Sequence, residues 1–103
     1  MKSLVLALLV MLFALASANA QSVQRGLNYL RANCARCHAI DKVSESPFKL
    51  APPFRTLHLK YPIESLQESF ADGIRTGHEN MPEFRLEGDQ IGDVIAYLKT
   101  LEK

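Results

Sequence analysis

The sequence predicts an all-α domain of three to four helices, and three observations carry the prediction. Apolar residues recur at the 3.6-residue helical period in three stretches, near residues 22–36, 62–73 and 89–101. No βαβ pattern interrupts them. The stretch at residues 41–53, without that period, is built of turn formers: Asp41, Ser44, Ser46, Pro47 and the pair Pro52-Pro53. At 103 residues the chain has room for one small domain.

The first twenty residues read as a leader rather than as part of that domain. Met1-Lys2 is a short basic start, Leu4 to Leu15 an apolar run of twelve, and Ala18-Asn19-Ala20 a small-residue cleavage site. Twelve apolar residues fall short of the roughly 18 that span a bilayer. Adding the small residues through Ala20 approaches that length, so an uncleaved anchor is the alternative. The expectation is a signal peptide over residues 1–20, export to the periplasm, and a domain over residues 21–103 beginning at Gln21. Ala16-Ser17-Ala18 is a second-choice site. Only Lys2 is lost with the leader, which leaves eleven Lys and Arg against eleven Asp and Glu. A net charge of zero excludes the basic field that nucleic acid would need. A chain of this size buries only about 60% of its unfolded surface, so its core calls for a staple.

Residues 22–36 place Val23, Gly26, Leu27, Leu30, Cys34 and Cys37 on one helical stripe, with Ser22 as N-cap. Gly26 lies in mid-helix, where glycine costs nearly 1 kcal/mol relative to alanine. It reads either as a tolerated glycine or as a point of close approach by another helix. Positions 34–38 are Cys-Ala-Arg-Cys-His, a C-x-x-C-H segment that holds the only two cysteines of the chain. That segment marks a c-type haem attachment. At i and i+3 on a helix both sulfurs share a face and can form thioethers with one porphyrin edge. His38 then follows as a proximal iron ligand. A structural disulfide, a thioredoxin-like redox pair and half of a zinc site are the competing readings. The redox pair wants a βαβ pattern and the zinc site a second ligand pair, and neither is visible.

Further along, Pro52 and Pro53 fix an extended turn. A ligating histidine usually donates its second ring N–H to an acceptor, which such a loop can supply. Phe54 and Leu57 are expected to cover the haem face; Arg55 reads as a propionate partner or a solvated surface arginine, and His58 as an ordinary polar residue. A middle helix is expected from Pro62 to about Gly73, with Ile63, Leu66, Phe70 and Ile74 on its buried side. Glu64, Glu68 and Asp72 make its solvated face. In the polar stretch 77–84, His78 and Met81 are the two candidates for the far side of the iron. Met81 is the only methionine after the leader, and Pro82 holds it extended. The last helix, about Asp89 to Leu101, buries Ile91, Val94, Ile95, Leu98 and Leu101, with Tyr97 at the edge of that face.

These residues together resemble class I c-type cytochromes, the small soluble bacterial monohaem type. The likeness rests on C-x-x-C-H, a glycine eight residues before Cys34, Leu30 four before it, the run Asp93-Val94-Ile95-Ala96-Tyr97-Leu98, and Met81-Pro82 with Phe84 two residues on. It implies three to four helices around one covalent haem c, with the first and last helices crossing at Gly26. It implies thioethers at Cys34 and Cys37, axial ligands His38 and Met81, and a proline carbonyl on His38. Ala51-Pro52-Pro53-Phe54 resembles the family's Gly-Pro-x-Leu loop, with Ala for Gly; Pro52 aligns better than Pro53, and the sequence does not decide between them. The tryptophan that many relatives place beside a propionate is absent.

With six ligands the iron could only change valence. The expectation is therefore a monomeric electron carrier without catalytic turnover, meeting redox proteins transiently, with no nucleic acid partner and no membrane span after cleavage. The alternatives are the haem subunit of a dehydrogenase or oxidase complex and, less favoured, a ligand-binding haem sensor or peroxidase.

Overall fold

A computed structural model describes residues 4–6, 21–74 and 81–103. Most of the expected leader, and His78, lie outside these residues. Helix α1 is Val23–Asn33, α2 is Leu66–Asp72 and α3 is Gly88–Thr100, with short 3-10 helices at Phe54–Leu59 and Ile63–Ser65. The domain is all-α: among the described residues the sole extended pairing is an isolated bridge between Ile74 and Phe84. None of the described helices is long and apolar enough to cross a membrane.

Helix α1 starts where the sequence places it, because Ser22 Oγ accepts the Arg25 N–H at 3.0 Å. It stops at Asn33, three residues before the expected Arg36. Cys34 is its C-cap, donating to Leu30 O at 2.8 Å, and the backbone then tightens into a separate turn. Helix α3 begins one residue early, with Gln90 Oε1 accepting the Glu87 N–H at 2.9 Å, half of the reciprocal capping pattern.

The two helices cross at Gly26. A Cβ there would overlap the Asp93 carbonyl oxygen, lying 2.7 Å from the Asp93 carbonyl carbon and 3.1 Å from Tyr97 Cβ. So the close-approach reading of Gly26 holds, and the visitor is α3. The crossing brings Leu30, Val94 and Leu98 together, each at most 2% exposed. Ile63, Leu66, Leu57, Leu86, Ile91, Ile95, Tyr97 and Leu101 complete the core. Burying such a side chain fully is worth about 1.5–3 kcal/mol, which makes α3 the element on which the others condense.

The middle helix is shorter than expected. Pro62 lies outside it with φ −61° and ψ 137°, Ile63–Ser65 forms a 3-10 turn, and only Leu66–Asp72 is α-helical. Proline's fixed φ suits a first turn, but an extended ψ at Pro62 lets Ser65 N–H reach Pro62 O at 3.0 Å and closes the tighter turn instead. Gly73 ends α2 with φ +101°, a region glycine enters without a Cβ penalty. Glu64 is not simply solvated: it accepts from Lys99 Nζ at 2.5 Å, although both side chains stay about half exposed, so the pair adds little.

In the sequence Asp93 stands out only as part of the terminal-helix run, yet among the described residues it is the one charged residue in the core, 7% exposed. Its Oδ1 accepts the Ser22 N–H at 2.7 Å and its Oδ2 accepts Arg25 Nε at 2.9 Å, which ties the α3 crossing to the α1 cap. The hydrogen bond from Arg25, helped by Ser22 and opposed by burial, holds the Asp93 carboxyl below the usual carboxylate range. A depressed carboxylate contributes stability that is complete above its unfolded-state pKa and is lost as pH falls through the lower folded value. Acidification below about pH 4 should therefore destabilise the native protein more steeply than Asp93→Asn. Denaturant midpoints against pH check this; superimposable acid limbs would disprove it. Asp41 and Glu64, also held low, leave the variant some slope.

Candidate functional site

The C-x-x-C-H segment is one tight turn. Cys37 N–H and His38 N–H both bond Cys34 O, at 3.2 and 2.9 Å. The sulfurs therefore come from one turn rather than from the helix stripe itself. Both thiols are unpaired and half-buried. Burial, with a smaller contribution from Cys37, pushes the Cys34 thiol up to about 11. The attacking thiol of a disulfide-exchanging pair is held down near neutrality, so Cys34 does not fit that role. Among the described residues no three His, Cys, Asp or Glu side chains gather to hold an ion, which leaves a zinc site without its second ligand pair.

The loop after the turn wraps back on it. Phe48 N–H bonds Cys37 O at 3.1 Å, Ala39 N–H bonds Ser46 Oγ at 3.0 Å, and Phe54 N–H bonds Ala39 O at 2.9 Å. These bonds deliver residues 52–54 to His38. His38 Nδ1 lies 2.8 Å from Pro52 O, and its ring meets Phe54 with centroids 4.6 Å apart. A carbonyl can only accept, so Nδ1 carries a proton, and in the neutral ring Nε2 is then the nitrogen that can take a metal. The Pro53 carbonyl is engaged elsewhere: it accepts the Thr56 N–H at 3.0 Å and Thr56 Oγ1 at 2.7 Å. Because Pro53 follows it, Pro52 is held extended and its carbonyl aimed.

Leu57 is 8% exposed in the core, and Phe54 packs half-buried against it. Arg55 reaches back to the loop, donating from Nη1 to Ser44 O at 2.6 Å. Asp41 braces the same loop by accepting the Val43 and Ser44 N–H groups at 3.0 and 2.7 Å. Tyr97 OH donates to Ile40 O at 2.6 Å, joining α3 to the residue two past His38. Neither Tyr97's partner nor the 3-10 helix at Phe54–Leu59 shows in the sequence pattern. The one available signal was a tyrosine at the edge of an apolar stripe, whose hydroxyl needs an acceptor.

Met81 is half-buried at the start of the segment that returns to the body of the domain. The end of α2 captures that segment. Phe70 O accepts the Leu86 N–H at 2.9 Å, Asp72 O accepts Arg85 Nη2 at 3.0 Å, and Ile74 N–H bonds Phe84 O at 2.9 Å. Carbonyls at a helix C-terminus lack intrahelical partners, and here the returning chain supplies them.

The donor set suits a covalent haem. Two unpaired thiols on one turn can form thioethers, a neutral imidazole with its tautomer set by Pro52 can ligate iron, and Met81 adds a soft thioether sulfur. No curated protein and no solved structure gives a significant match to the chain. A family model described as Cytochrome c matches residues 23–102, from the first turn of α1 to just past α3. The chain belongs to the cytochrome c family, whose members are electron carriers with covalently attached haem c.

Proposed function

We propose that this chain is an exported, monomeric, monohaem cytochrome that passes single electrons between redox proteins. Haem c, when bound, supplies a one-electron iron couple. The chain contributes attachment, orientation and a dry surround. Cys34 and Cys37 would hold the group through sulfur, with His38 Nε2 and the Met81 sulfur as the groups that would bind its iron. Phe54 and Leu57 exclude water beside the imidazole, while Pro52 keeps its tautomer constant in both valence states. The observation that carries this reading is the 2.8 Å contact of His38 Nδ1 with Pro52 O, one residue past two unpaired thiols.

With six ligands in place the iron has no open position, so no substrate turnover is expected. The signal peptide is removed after Ala20, and residues 21–103 form the mature carrier. Its near-zero net charge makes partner encounters only moderately salt-dependent. The test is the exported protein itself: it should be red, carry the mass of residues 21–103 plus one haem resistant to acid extraction, and when reduced bind carbon monoxide poorly at neutral pH. Colourless protein of bare polypeptide mass would sink the proposal; rapid carbon monoxide binding would favour a sensor or peroxidase.

A further inference from the structure

We propose that the Tyr97 hydroxyl is a positioning group for His38, holding the chain that carries the imidazole in line with the Pro52 carbonyl. This deepens the proposed function and rests on His38 as an iron ligand. Tyr97 is 9% exposed and runs from the helix crossing to the attachment turn. At its root, a Cβ on Gly26 would come within 3.1 Å of Tyr97 Cβ. At its tip, the hydroxyl donates to Ile40 O at 2.6 Å. Among the described residues this is the one hydrogen bond between α3 and residues 34–54.

The bond holds the peptide at which the loop leaves the turn. Asp41 then braces that loop at Val43 and Ser44, and Ser46 and Phe48 return it to Ala39 and Cys37. The loop ends on the histidine, where His38 Nδ1 meets Pro52 O at 2.8 Å and the Phe54 N–H bonds Ala39 O at 2.9 Å. All of these bonds close the loop on itself; only the bond from Tyr97 ties it to the crossed helices. Ile40 and Phe54 also pack against the core, which sets how deep they sit. Such packing has no direction, whereas a hydrogen bond aims the group that accepts it. Burial, reinforced by Asp41 and opposed by Arg31, holds the Tyr97 phenol above its usual pKa, so the hydroxyl remains a donor. Without the hydroxyl the Ile40 carbonyl can swing, and the contacts of Pro52 and Phe54 with residues 38 and 39 weaken. A weaker bond from Nδ1–H to Pro52 O leaves the imidazole less basic and a poorer partner for ferric iron.

Tyr97→Phe tests this, because it removes the hydroxyl and keeps the ring at the crossing. In the holoprotein the His38 Nδ1–H and the Phe54 N–H should exchange roughly three- to tenfold faster, the worth of one neutral hydrogen bond. That change is measured relative to the Leu98 N–H of the same helix, which reports general loosening. The one-electron equilibrium should move toward ferrous iron by roughly threefold, short of the ~10-fold that losing a ligand's own outer partner costs. Unchanged exchange, or equal acceleration at all three sites with the potential unmoved, would overturn the role while leaving His38 as ligand. A wild-type His38 signal without the shift that iron ligation imposes would overturn the ligand assignment and this role together.

Discussion

Gly26→Ala should cost the holoprotein about 2 kcal/mol of stability, of the roughly 5–15 kcal/mol that a domain has. Two effects oppose each other. Alanine in a helix interior gains nearly 1 kcal/mol over glycine. Against that, the new Cβ overlaps the Asp93 carbonyl oxygen and crowds Tyr97 Cβ at 3.1 Å. The obstructing atoms are backbone, which cannot rotate away, so α1 and α3 must separate. Separation loosens the contacts of Leu30 with Val94 and Leu98 and lengthens the bonds of Asp93 to Ser22 and Arg25. Overpacking alone costs about 1–3 kcal/mol, and the strained crossing adds to it. The overlap wins. Chemical denaturation and holoprotein yield check this, and a variant as stable as the wild type would show that the helices do not meet at Gly26.

Met81→Ala should abolish the sulfur-to-iron absorption band and lower the reduction potential, with far less effect on stability than Gly26→Ala. A thioether is a soft neutral ligand that favours ferrous iron, and its loss leaves water or a harder donor in its place. Axial ligands tune potentials over about 0.8 V, so a drop on the order of 100 mV or more is expected. Stability should change modestly because Met81 is only half-buried and lies outside the central core. Optical spectra and a redox titration of the purified variant decide it. An unchanged spectrum would hand the sixth position to His78.

Local patterns explain why so much of the fold was legible. The stripe through Val23, Gly26, Leu27 and Leu30 and that through Ile91, Val94, Ile95 and Leu98 are statements about residues three or four apart, and both became helices. Ser22 could be read as a cap because its target N–H is three residues away. The errors lie at element ends. The apolar stripe carries helix α1 through Cys34 to Arg36 because a stripe does not show where backbone hydrogen bonds tighten into a separate turn. Pro62 was placed inside a helix because its φ is helical, whereas its ψ is set by packing of Ile63 into the core. The 3-10 helix at Phe54–Leu59 has no 3.6-residue stripe to reveal it.

Asp93, Arg55 and Glu64 show the same limit for side chains. A charged residue reads as solvated unless its partner is near in sequence, and Asp93 bonds Ser22 and Arg25 from 71 and 68 positions away.

The sequence by itself determined the helical class, the C-x-x-C-H spacing at residues 34–38 and the pairing of Met81 with a proline, because each depends on neighbours within a few residues. Only the tertiary structure decided that Pro52 rather than Pro53 meets His38, that Gly26 receives the Asp93 carbonyl and that Gly73 receives Glu83. Those choices turn on which distant atoms share a space too small for a Cβ or aim a single lone pair, and packing of the whole chain sets them.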